Sequence, residues 1–227
     1  MEIFEELLNL FLPSSCIFCK SPDSNICPEC LQKIDLAPRA VNRFGISGYA
    51  SCVYSTAVAK LISEFKESQQ TSLAKVIAPA MAQALQNFDW KNCALLPMPS
   101  KRESFAKRGF EPAAVLANSI ARQFAKEQKA LIPVQKILSY SGQVADQASL
   151  SGQDRRTNLI GSMVARSRLP GRKLPQQVIL IDDIVTTGST FAEAKRCLTE
   201  IGVQVLGFVA FAETLPKNLQ KRHARFV

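Results

Sequence analysis

The sequence predicts an α/β fold, a parallel sheet flanked by helices, with a small cysteine-rich module at its N-terminal end. Three observations predict it. Val178-Ile179-Leu180-Ile181 is short, apolar and mostly β-branched, as a strand buried on both faces requires. A helical pattern follows at Phe191, Ala194, Leu198 and Ile201, closed by Gly202, and a second apolar strand runs from Val203 to Phe211. Strand, crossover helix and strand make a parallel pair. Near the start, Cys16-x-x-Cys19 and Cys27-x-x-Cys30 are paired knuckles seven residues apart.

In chain order, Ile3, Phe4, Leu7, Leu8 and Phe11 fall on one side of a short helix ended by Pro13. Each Cys-x-x-Cys presents two thiolates to one cation, and two knuckles complete a closed, structural Cys₄ zinc site from Cys16, Cys19, Cys27 and Cys30. Pro22 to Asn25 supply the turn between them. Buried thiols or disulfides are the alternative, but an odd total of seven cysteines suits a metal site in a reducing compartment. Zinc would let a ribbon-like module of residues 1–40 fold without a large core, leaving 41–227 as the main domain. Cys52, Cys93 and Cys197 sit in apolar patterns and read as small core residues.

Residues 39–54, with Gly45 and Gly48, read as a linker to a short strand at Ser51–Tyr54. Val58, Leu61, Ile62 and Phe65 mark one helix, and Leu73 to Phe88 a second. Cys93 to Leu96 is a core strand stopped by Pro97-Met98-Pro99-Ser100, where a special backbone conformation, a cis bond among the options, is expected. The basic stretch from Lys101 to Phe110 reads either as a solvated loop or as a source of phosphate contacts through Arg102 and Arg108. A helix follows at Val115 to Phe124, then an edge strand at 132–137. Gln143 to Asn158 is a long polar loop of the kind that serves as a lid or binding loop, and Gly161 to Val164 another strand. The basic tail holds the sole histidine, His223, a surface residue on this reading.

Everything converges on the stretch after the central strand. Asp182 and Asp183 stand at its C-terminal end, where open α/β sheets hold ligands. Thr186-Thr187-Gly188-Ser189-Thr190 then leads into a helix, whose N–H groups and dipole favour a bound phosphate by about 0.3–1 kcal/mol. Paired carboxylates beside a phosphate cradle suit a sugar phosphate, the acids accepting hydrogen bonds from adjacent hydroxyls. The reading requires that the acids not both be engaged in salt bridges to the body of the protein. An ordinary βα turn would explain the Asp and Thr residues singly but not their coincidence. The chain lacks a Gly-Lys-Ser/Thr P-loop and Gly-x-Gly-x-x-Gly.

Lys and Arg outnumber Asp and Glu by 28 to 19, a net +9, which suits a polyanionic ligand, whether sugar phosphate or nucleic acid. Hydrophobic residues make up 47% of the chain, enough for a packed core, and no apolar run is long enough to cross a bilayer. The acidic N-terminus is unlike a signal peptide, so a cytoplasmic protein is expected.

The stretch Val178 to Thr190 resembles the phosphoribosyl-pyrophosphate (PRPP) signature of type I phosphoribosyltransferases, an apolar strand, two acids and Thr-Thr-Gly-x-Thr. The resemblance implies that Asp182 and Asp183 hold the ribose hydroxyls and Thr186 to Thr190 the 5′-phosphate. It also implies that the turn at Met98, Pro99 and Ser100 receives the pyrophosphate, and that Mg²⁺ comes with the substrate. With the cysteine module, Arg108-Gly109-Phe110, and Gln147, Leu150, Arg155 and Asn158, the whole chain is similar to the ComF (ComFC/GntX) family. That resemblance implies a type I phosphoribosyltransferase-like domain tied to natural competence and DNA use, with an acceptor not named by it. The sequence departs where Gly-Phe-Glu-Pro-Ala stands for Gly-Phe-Asn-Gln-Ala and Ser100 follows the Pro-x-Pro turn instead of Leu-His. A pentosyl transferase using Asp182, Asp183, Arg102 and Arg108 is one expectation. A single-stranded-DNA-binding accessory protein that senses PRPP or a nucleotide without transferase turnover and works with other competence proteins is a second, and an interaction adaptor with a vestigial pocket a third.

Overall fold

The computed structural model describes residues 15–141, 161–168, 171 and 173–215. The expected first helix, the long polar loop with Gln147, Leu150, Arg155 and Asn158, and the basic tail with His223 lie outside them. A five-stranded sheet runs in the order β1-β2-β7-β6-β3. Its members are β1 (Arg39–Arg43), β2 (Ile46–Val53), β3 (Cys93–Pro97), β6 (Gln177–Val185) and β7 (Gln204–Glu213). The last four are mutually parallel, and β1 pairs antiparallel with β2, so the sheet is mixed at that edge.

The central strand is longer than its apolar run. β6 stays paired with β7 as far as Ile184↔Ala212 and Val185↔Glu213, so the two aspartates belong to the strand rather than follow it. Its pleat divides the core. Ile179 and Ile181 face one cluster with α2 (Thr56–Lys66), α3 (Ala74–Leu85) and α5 (Pro112–Gln128). Val178 and Leu180 face a second cluster with Phe191 and Leu198 of α6 (Ser189–Glu200) and with Leu138 and Met163 of a small antiparallel sheet. That sheet pairs β4 (Leu138–Tyr140) with β5 (Met163–Ala165).

Four local expectations are corrected. Residues 39–54 form a hairpin, not a linker: Phe44 and Gly45 turn it with φ of +50° and +71°. Gly48 is there because a Cβ would come within 2.4 Å of the Phe208 carbonyl oxygen on the neighbouring strand. The basic stretch is a helix, α4 (Arg102–Arg108), rather than a solvated loop. Glu103 in its first turn, Lys107 and Arg108 in its last, and Gly109 at φ +75° as its C-terminal cap all favour that helix. The edge strand expected at 132–137 is reduced to a bridge between Val134 and Leu95, because Pro133 has no N–H to continue the ladder. Finally, no peptide bond among the described residues is cis, and the Pro97–Ser100 turn is made with trans bonds.

The cysteine module, including α1 (Pro28–Leu31), packs on the α2–α3 face. Cys16, Ile17 and Ile26 are buried in the same apolar cluster as Leu61 and Phe65. Asn25 Nδ2 donates to Ser72 Oγ at 3.0 Å, and Lys60 lies 5.7 Å from the Phe18 ring centroid. Among the described residues no helix is long and apolar enough to cross a membrane.

Candidate functional site

The acidic pair lies near the C-terminal end of the central strand β6, and the two side chains have different surroundings. Asp183 is only 5% exposed, and its Oδ2 forms an ion pair with Lys66 Nζ at the end of α2. Asp182 Oδ1 accepts from the Asp183 backbone N–H at 2.9 Å. Loss of water, then the charge of Asp183 beside it, holds the Asp182 carboxyl well above the usual carboxylate range, opposed by Lys66. Burial, with Asp182 nearby, also pushes the Tyr140 hydroxyl up. Among the described residues, Asp183 is the one of the two acids held by an ion pair.

The loop at the end of β6 begins with Thr186 and Thr187, both exposed. Thr187 Oγ1 and Ser189 Oγ lie 2.8 Å apart, and Gly188, at φ +86°, is the N-cap of α6. Ser189 N–H donates to Thr187 Oγ1 at 3.4 Å and Ala192 N–H to Gly188 O, and the amides between them, at Thr190 and Phe191, precede the first intrahelical bond. Arg43, from the edge strand β1, braces it. Its Nε donates to the Thr186 carbonyl at 3.3 Å while its Nη2 pairs with the buried Glu213 at 2.9 Å.

The Pro97–Ser100 turn runs alongside, with Met98 N–H donating to Ile181 O at 2.9 Å. Met98 itself is 3% exposed and part of the core, so its amide is used by the sheet and its side chain by packing. Pro99 and Ser100 remain partly exposed. The two expected arginines are apart from the acids in their contacts. Arg108, with Lys107, is bound to Glu67, its Nη2 at 2.5 Å, and Arg102 is exposed at the start of α4. The two cations hold Glu67 down to about 2.

The four cysteines meet. The Sγ atoms of Cys16, Cys19, Cys27 and Cys30 all lie within 4.8 Å of one another, and Cys19 and Cys27 at 3.5 Å. A tetrahedral ZnS₄ unit with Zn–S of about 2.3 Å needs sulfurs roughly 3.8 Å apart, so the cluster fits zinc. The knuckles are built from local turns: Lys20 N–H to Cys16 O, and Cys30 and Leu31 N–H to Cys27 O. Burial would raise Cys16, but backbone donors at Cys19, Cys27 and Phe18 outweigh it and bring the thiol to about 6. Cys30, hydrogen-bonded to Cys27 and buried, is pushed up to about 12. A thiol set with one member this easily ionised is primed for a cation.

Residues 67–226 match the family model described as phosphoribosyl transferase domain. The chain belongs to that family. It is 25% identical over 215 residues to Competence protein ComFC of Streptococcus pneumoniae, covering 88% of this chain and 89% of that protein. It is 29% identical over 153 residues to Competence protein F of Haemophilus influenzae, covering 63% and 62%. These relatives agree with the ComF resemblance read from the sequence. Among solved structures, an adenine phosphoribosyltransferase is similar at 14% identity, covering 85% of this chain and 93% of that one, with a TM-score of 0.39.

In this phosphoribosyl transferase domain, the motif reading finds the acids and the loop but misses their supports. Lys66, Glu67, Arg43 and Glu193 carry no motif. Glu193 of α6, 4% exposed, accepts from Gly161 N–H at 2.8 Å and from Arg196, pinning the base of β5 to the helix that carries the loop. The Arg196 guanidinium keeps its carboxyl below the usual range despite burial. A buried acid on the apolar side of an otherwise amphipathic helix, with Arg three residues on, is the one signal the sequence offers for it.

Proposed function

We propose that this chain binds PRPP through the β6–α6 junction and acts as a phosphoribosyltransferase-like protein. The observation that carries the proposal is the succession of Asp182 and Asp183, an exposed hydroxyl loop and the open first turn of α6 on one continuous segment, with the Pro97–Ser100 turn beside it. Asp182 and Asp183 would accept from the ribose hydroxyls, and Thr186 to Thr190 would cradle the 5′-phosphate with loop hydroxyls and α6 amides. Pro99 and Ser100 are the members of the Pro97–Ser100 turn still partly open to a pyrophosphate. The Asp182 carboxylate offers a hard oxygen donor to a divalent cation held mainly through the substrate's phosphates, and Mg²⁺ would supply charge neutralisation for them. In a transfer step an acceptor nitrogen bonds to the anomeric carbon as the carbon–oxygen bond to pyrophosphate breaks. The chain's part is positioning and electrostatics: the acids orient the ring and stabilise its growing positive charge. Arg102 and Arg108 would neutralise the leaving group only after Arg108 exchanges Glu67 for phosphate.

Isothermal calorimetry with PRPP and Mg²⁺ on the wild type and on the Asp182→Asn/Asp183→Asn double variant tests this. Binding by the wild type and a loss of at least tenfold in the variant are expected; equal heats from both proteins would overturn the site assignment.

A second reading, single-strand handling in competence, is favoured by one surface feature. Phe105 is 47% exposed on α4, one turn after the exposed Lys101 and Arg102, which places a ring suited to stacking beside cations suited to phosphate. The names of the two competence relatives agree with it. Fluorescence anisotropy with a labelled single strand should show salt-dependent binding weakened in Phe105→Ala; no binding at low salt would dismiss it. On either reading the cysteine module of residues 1–40 is a zinc-stabilised cap on the domain of 41–227.

A further inference from the structure

We infer that Lys66 is the residue by which this pocket distinguishes a ribose carrying an anionic group at C1 from one without it, given the PRPP reading above. Lys66 is the last residue of α2, where the carbonyl end of a helix favours a cation, and its ammonium lies on Asp183 Oδ2. Beyond that ion pair, Asp183 Oδ2 has no hydrogen-bond partner among the described residues. The neighbouring cations are committed elsewhere or face water: Lys107 and Arg108 bind Glu67, and Arg102 is exposed. The side chain of Lys66 keeps 22% of its surface, enough to swing towards an incoming ligand.

Lys66 holds the buried Oδ2 of Asp183, so a diol that donates to the other oxygen of that carboxylate draws on the charge that balances the ammonium. The ammonium then has three donors and a partner whose charge is shared with the diol, an arrangement that disfavours binding unless a new anion meets it. The C1 substituent of the ribose adjoins the C2 hydroxyl, so a phosphate or pyrophosphate there is within reach of the ammonium. A ribose lacking that group either competes with Lys66 for Asp183 or strands it. Lys66 thus turns the acid pair from a general diol site into one for a ribose with anions at both ends. It determines specificity without touching the bond that breaks.

The full chain, as wild type, Lys66→Met, Lys66→Gln and Lys66→Arg, is titrated in Mg²⁺ buffer with PRPP and, separately, with ribose 5-phosphate; thermal unfolding of each variant checks folding. Wild type should prefer PRPP by at least tenfold. Lys66→Met and Lys66→Gln should lose most of that preference, with PRPP weakened tenfold or more and ribose 5-phosphate unchanged or tighter, while Lys66→Arg keeps it. A preference intact in both neutral variants, or an equal weakening of both ligands, would overturn the role of Lys66 while leaving the PRPP site standing. Failure of the wild type to bind either ligand would instead remove the PRPP reading and this role with it.

Discussion

Gly188 packs against Arg43: a Cβ built on the glycine would lie 2.4 Å from the Arg43 Cβ. The contact joins the edge strand to the candidate phosphate loop, and the same arginine reaches the Thr186 carbonyl and Glu213. The loop is therefore held from behind by a residue remote in sequence. Its front is left to hydroxyls and amides.

Gly188→Ala should be destabilising on two counts, the left-handed φ of +86° and the collision with Arg43. The backbone alone costs about 1–2 kcal/mol. Urea unfolding should show a loss of stability of at least that size, and PRPP affinity should fall with it. An alanine variant as stable as the wild type would mean the loop does not rest on Arg43.

Zinc should be bound at one ion per chain and should stabilise the body as well as the knuckles. Cys16 and Ile17 share an apolar cluster with Leu61 and Phe65, so loosening the module exposes part of that core. Elemental analysis of the purified chain and thermal unfolding with and without a strong chelator check this. A chelated protein with an unchanged Tm, or a chain purified without zinc, would contradict it. Cys30→Ser should reproduce the chelator's effect.

Glu67 gives a pH signature. Hydrogen bonds from Lys107 and then Arg108 lower it from 4.5 to about 2 in the folded protein. A folded-state value below the unfolded one means that the stabilisation is complete above pH 4.5 and is lost as pH falls towards 2. Comparing wild type with Glu67→Gln by thermal unfolding across that window should show the difference shrinking as pH drops. The pair is partly exposed, so 1 M salt should also shrink it. A difference independent of pH would show that Glu67 acts by packing alone.

The motif-bearing parts of the site were legible because they are contiguous. Val178 to Thr190 encodes strand, acids, loop and helix cap in one run, and the two Cys-x-x-Cys turns are closed by hydrogen bonds between near neighbours in sequence. Boundaries were less legible. β6 runs on to Val185 because β7 continues to offer partners, and 39–53 became a hairpin because Phe208 and its neighbours accept β2. Nothing local announces either pairing. For α4 the charges were visible but their partners were not, and Arg108 went to Glu67.

The sequence alone determined the chemistry: paired acids, a hydroxyl loop on a helix N-terminus, and four thiols at zinc spacing. Tertiary structure decided which charges face that chemistry. Lys66 reaches Asp183 and Arg43 reaches Thr186 because parallel strands bring the end of α2 and the edge hairpin to the same rim of the sheet. Side-chain reach across packed elements depends on sheet order and on the pleat, and hydrophobic periodicity within one segment carries neither.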